Sequence, residues 1–122
     1  MKAPGTIYSK SITYSNLHGT GVFNRFNTGK DIIMRFHQDN TYSFKQSGDK
    51  RTGASASYVY KKTDDHLGHI VNIIDSNKPG LKGCLMRIHL NFKTGKGFTK
   101  VLMHTSRESV KQDRLTFNFH LH

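Results

Sequence analysis

From Cys84 to Phe92 the chain alternates: Met86, Ile88, Leu90 and Phe92 share the parity of Cys84, and Leu85, Arg87, His89 and Asn91 hold the other. Successive strand side chains point to opposite faces, so this stretch reads as a β-strand with one apolar and one mostly polar face. The C-terminus repeats the pattern, with Leu115, Phe117, Phe119 and Leu121 opposing Thr116, Asn118, His120 and His122. Composition points the same way. Three alanines and one glutamate stand against 37 residues of Val, Ile, Thr, Tyr and Phe, so helix formers are scarce where strand formers abound.

Further strands are predicted at Ile7–Ser15, Thr20–Phe26, Ile32–His37, Thr41–Gln46, Ala54–Lys61, Leu67–Ile74 and Gly97–His104, about nine in all. The separators carry turn chemistry, as in Thr28-Gly29-Lys30-Asp31, Asp39-Asn40, Ser47-Gly48-Asp49, Asn77-Lys78-Pro79-Gly80 and Thr94-Gly95-Lys96-Gly97. Thr105 and Glu108 have capping-box spacing, so 105–113 is either a turn or two of helix or a long hairpin loop. At 122 residues the chain has room for one core, which excludes a multidomain enzyme and makes 1–122 a single domain. A meander of this size gains from closing, because closure removes exposed strand edges. The expected fold is an all-β, antiparallel meander barrel of about eight strands, with an open half-barrel or sandwich as the alternative.

The run Thr41-Tyr42-Ser43-Phe44, then Gly53-Ala54-Ser55-Ala56-Ser57-Tyr58-Val59-Tyr60, then Leu90 to Thr99, resembles the strand-and-turn rhythm of lipocalin-like (calycin) barrels. It covers about half the chain. The Gly-x-Trp of true lipocalins is missing, since the chain has no Trp. The resemblance implies a barrel and carries no ligand residues with it.

A net charge of +11 implies an anionic partner, single-stranded nucleic acid or an acidic protein surface, ahead of a membrane. Lys45, Lys50, Arg51, Lys61, Lys62, Arg87 and Lys96 are the candidate anion-binding residues, and Tyr58 and Tyr60 the candidate stacking platforms, since a single strand needs cations for phosphates and flat rings for bases. Non-catalytic capture of that partner is the leading expectation. The alternative is a small molecule inside the barrel, held by Arg35 or Lys100, each of which shares parity with apolar neighbours. A nuclease using His37, His89, Lys100 and His104 ranks lower, because spacing on a meander does not say which of them converge. No nucleophile elbow or phosphate loop is present to favour an enzyme.

The chain contains eight histidines, and His66, His69, His120 and His122 are the candidate metal ligands, although no cofactor or metal is expected. Their protonation strengthens any affinity for anions as pH falls through about 6.5. Cys84 is the sole cysteine and shares parity with apolar residues, so a buried thiol is expected. The sequence as written shows neither a signal peptide nor a membrane span. A cytoplasmic protein, or a delivered effector or phage protein, is the corresponding expectation.

Overall fold

The computed structural model describes residues 1–48, 56–74, 84–104 and 113–122. Eight strands run in order around a closed antiparallel barrel: β1 Ser11–Gly19, β2 Ile32–Phe36, β3 Thr41–Gln46, β4 Ala56–Lys62, β5 Leu67–Ile74, β6 Cys84–Asn91, β7 Lys96–His104 and β8 Arg114–Leu121. Each strand pairs with its sequence neighbours, and β1 closes the ring on β8 through pairs such as Tyr14↔Phe119. The expected meander barrel is therefore the observed fold. The expectations for Lys50 and Arg51, for the Cys84 thiol and for a helical turn at 105–112 fall outside the described residues.

Two of the predicted strands differ. Thr20–Phe26 is a 3-10 helix, Gly21–Phe26, because Gly21 turns the chain at φ +61° and Phe23 and Phe26, three residues apart, then fall on one side of a three-residue repeat. Asp113 holds this turn: its carboxylate accepts from the Val22 N–H at 3.2 Å, and a Cβ on Gly21 would collide with it. The first strand begins at Ser11, not Ile7. Residues 1–10 instead cross the end of the barrel that carries the β2–β3 and β4–β5 turns. Ala3 N–H donates to Asp65 O at 2.7 Å, Ser9 N–H to Phe36 O at 2.9 Å, and the Tyr60 hydroxyl to Pro4 O at 2.7 Å, while Ile7 is buried beneath.

Two irregularities set which residues face inward. In β1 the register with β8 shifts between Ser15 and His18, where Asn16 adopts φ +51°, a conformation asparagine tolerates. Between β6 and β7 the register shifts after Leu85↔Met103, so that Met86 pairs with Val101 and Leu102 is the extra residue, 44 % exposed. Inside, rings interlock edge to face: Phe36 on Tyr58 at 4.9 Å, Tyr14 on Phe117 at 4.8 Å and Phe92 on Phe119 at 5.2 Å. Among the described residues, no helix is long and apolar enough to cross a membrane.

Candidate functional site

The barrel offers a site inside and a site outside. Inside, toward the end covered by the 3-10 helix, lies a cavity of about 80 Å³ walled by residues that include Leu17, Phe23, Met34, Phe44, Ile88 and Phe117. Its surface is almost wholly apolar, yet Tyr14, Tyr42, Asn72 and Thr99 also line it. Inward parity puts them there: Asn72 is on the face of β5 that carries Ile70, and Thr99 on the face of β7 that carries Val101. Asn72 donates from Nδ2 to the Tyr42 hydroxyl at 3.0 Å. Its Oδ1, and the Tyr14 hydroxyl, are buried with no hydrogen-bond partner among the described residues. Burial pushes the Tyr14 phenol well above its ordinary value, with Tyr42 nearby adding to the effect, so it stays protonated and keeps a donor.

Outside, the register aligns side chains in rows across the strands. One row runs Lys61, His69, His89, Phe98, Thr116 and His18, from β4 round to β1. The next runs Val59, Val71, Arg87, Lys100 and Arg114. None of the eight strands contains Asp or Glu. Phe98 sits at the centre: His89 stacks on it from β6 at 4.4 Å between ring centroids, and from β8 the Arg114 Cζ lies 4.6 Å from its centroid, with Lys100 Nζ at 5.6 Å. The Arg87 Nε is buried without a hydrogen-bond partner among the described residues. Burial and the surrounding cations push His89 below its ordinary value, Arg87 first, then His69, Lys100 and Arg114. His69 is lowered by burial, Arg87 and Lys61.

Of the anion-binding candidates, Lys61, Arg87 and Lys96 belong to this outer face, while Lys62 is exposed at the end of β4. Lys45 lies across the barrel, exposed on β3 beside β2. Tyr58 is not a stacking platform: it is 3 % exposed, packs on Phe36 and donates its hydroxyl to His37 O at 3.3 Å. Tyr60 also turns inward, half-buried, and burial pushes its phenol up to about 12.

Arg35 and Lys100 do not reach the interior. The parity that groups them with apolar neighbours is right, but that parity faces out, since Ile32, Met34 and Phe36 fill the inner face of β2 and Thr99 and Val101 that of β7. Among the metal candidates, His66 sits in the β4–β5 turn near Met1 O at 3.1 Å, His69 on the outer face, and His120 and His122 side by side, with His122 Nε2 at 2.7 Å from Thr13 Oγ1. No three His, Cys, Asp or Glu gather among the described residues.

The nuclease set does not assemble either. His37 follows β2 and meets Ser43 at 3.2 Å, half the barrel away from His89 and Lys100, and the His104 side chain is outside the described residues. His69 and His89 do face each other across β5 and β6. Both are held toward the neutral form, which leaves little general acid near neutral pH.

Phe98, Arg114, Tyr14 and Asn72 escape the sequence reading. Parity groups Phe98 with Lys100 and Leu102 without saying which side is the core, and Asn72 sits in a run, Ile70 to Ile74, that is apolar on both parities apart from itself. No known protein family, curated protein or solved structure matches the chain.

Proposed function

We propose that the protein binds a small, largely apolar molecule carrying a hydroxyl or similar group inside the barrel, the lipocalin-like reading that ranks second on sequence. The observation that carries it is the pair of orphaned polar atoms, Tyr14 Oη and Asn72 Oδ1, on the wall of an apolar cavity. Buried polar groups are normally satisfied, and leaving one unpaired costs about 1–3 kcal/mol. A ligand hydroxyl would satisfy both, donating to Asn72 Oδ1 and accepting from the Tyr14 O–H, while the aromatic and aliphatic walls take up its apolar part. The cavity of about 80 Å³ is roughly half the size of an apolar cavity of about 150 Å³ that accepts benzene in another protein, so it suits a ligand smaller than an aromatic ring, such as a short alkanol.

The test is a thermal-shift and calorimetric panel of short alkanols and the matching hydrocarbons. Saturable binding of the hydroxylated compounds, above that of the hydrocarbons, supports the reading. Absence of binding by any of them, with ordered water seen on Tyr14 and Asn72 in a crystal structure, overturns it.

A further inference from the structure

A β-barrel exterior normally mixes charges of both signs, because like charges side by side repel. Here the outer rows gather Lys61, Arg87, Lys100 and Arg114 with His18, His69 and His89, and no strand supplies a carboxylate to offset them. The imidazoles register the result. His89 faces Lys61 and His69 from β4 and β5, Arg87 on its own strand, Lys100 from β7 and Arg114 from β8, and it is harder to protonate than a free histidine. The Arg87 Nε, buried and unpartnered among the described residues, is a donor without an acceptor. Such an array lacks an anion.

The flat groups say which anion. Imidazole, phenyl and guanidinium of His89, Phe98 and Arg114 lie one after another across β6, β7 and β8. Carboxylates of an acidic protein gain nothing from such a column, whereas an unstacked base extends it. Beside it a groove of about 670 Å³, edged by Asn91, Lys96, Thr116 and Asn118, offers amide and hydroxyl groups to base edges. Adjacent strands are about 4.8 Å apart, so the row from Lys61 to Thr116 follows an arc of about 19 Å around half of the closed barrel, along which a strand of several nucleotides could wrap.

We infer that the outward face of β4–β8 binds single-stranded nucleic acid, its phosphates held by Lys61, Arg87, Lys100 and Arg114 and a base stacked on an end of the column that His89, Phe98 and Arg114 form. This surface is separate from the cavity, so either can fail without the other.

The test is fluorescence anisotropy of a labelled single-stranded oligothymidylate with the full chain. With about four phosphates neutralised, affinity should fall roughly 50-fold between about 50 and 200 mM salt. Arg87→Gln with Lys100→Gln should weaken binding about tenfold and flatten the salt dependence, whereas Arg35→Gln with Lys45→Gln, the same charge change on the opposite side of the barrel, should leave it near the parent value. Phe98→Ala should weaken it about tenfold at an unchanged salt slope. Three outcomes overturn the inference: no binding at low salt, equal loss in both double variants, or displacement by polyglutamate as effective as by the oligonucleotide.

Discussion

His89 lies nearly flat on Phe98, the ring planes 17° from parallel and the centroids 4.4 Å apart, although the two belong to different strands on the outside of the barrel. They are direct cross-strand partners, and Arg114 covers Phe98 from the other neighbouring strand. An aromatic ring that would otherwise be an isolated apolar residue on the surface is thereby held in one orientation. Rigid placement of the ring, more than its exposure, is what the proposed nucleic-acid surface would draw on.

Phe98→Ala removes one ring–ring and two cation–ring contacts and opens no cavity in the core. Each such contact at a partly exposed position contributes about 0.5–1 kcal/mol, so unfolding in urea should show a loss of about 1.5–3 kcal/mol and a fully folded protein at room temperature. A loss of the size expected for a core residue would mean that Phe98 belongs to the interior packing.

His69 and His89 make stability depend on pH. Burial first and then Arg87 lower both in the folded chain, with Lys61 adding to the effect on His69 and His69, Lys100 and Arg114 to that on His89, while in the unfolded chain they return to about 6.5. Between the folded values and about 6.5 the unfolded chain therefore holds more protons, so stability rises with pH across that window and levels off above it. Lowering the pH through the folded values loses this contribution. Imidazole proton shifts followed by NMR should show His69 and His89 titrating below 6.5, and Lys100→Gln should move His89 upward. Oligonucleotide binding should raise both, because a phosphate offsets the cations that hold them down.

How far the fold was legible depends on whether polarity and parity agree. Cys84–Asn91 and Arg114–Leu121 carry their pattern in the side chains, and Leu67–Ile74 and Thr41–Gln46 are bounded by turn residues, so these strands can be read directly. Thr20–Phe26 has the composition of a strand, and only Gly21 and the three-residue spacing of Phe23 and Phe26 hint at a tight helix; the Asp113 carboxylate that fixes it comes from the far end of the chain. The same limit applies to the sites. Lys61 and Arg87 stand out as cations, but their convergence with Lys100 and Arg114 follows from strand register, and the extra residue Leu102 in β7 has no local signature.

Tyr58→Ala separates core from surface. The ring packs on Phe36 and Tyr42 and its hydroxyl reaches His37 O, so truncation should cost about 3–5 kcal/mol in chemical denaturation. Whatever fraction remains folded should bind oligonucleotide with parental affinity, since the ring presents no face to the outside. A large loss of affinity with intact stability would return Tyr58 to the stacking role expected from sequence.

Gly21→Ala tests the turn over the cavity. At φ +61° a side chain is strained by about 1–3 kcal/mol, and the added Cβ would also strike the Asp113 carboxylate. Melting temperature should fall accordingly. Because Phe23 and Phe26 line the cavity from this helix, exchange protection of the Phe23 amide, bonded to Thr20 O at 3.1 Å, should fall with it. Unchanged protection would show that the 3-10 helix is held by its rings alone.

Asn72→Leu sets stability against ligand binding at one residue. The substitution keeps the branched shape with bulkier ends and removes the unpartnered Oδ1, which favours the ligand-free protein, but it also takes the donor from the Tyr42 hydroxyl. These effects oppose each other, each of order 1 kcal/mol, so unfolding free energy without ligand should change by less than about 1.5 kcal/mol. Binding should not be so tolerant. A site whose buried polar groups select a hydroxyl discriminates strongly against its absence, so once the Asn72 acceptor is gone and only the Tyr14 donor remains, a short alkanol should lose much of its advantage over its hydrocarbon counterpart. Calorimetry of both compounds against both proteins reads this directly. If the alkanol keeps its full advantage over the hydrocarbon in Asn72→Leu, Asn72 does not hold the hydroxyl; if stability collapses, the bond from Asn72 to Tyr42 is a structural support of the barrel and not one wall of a ligand site.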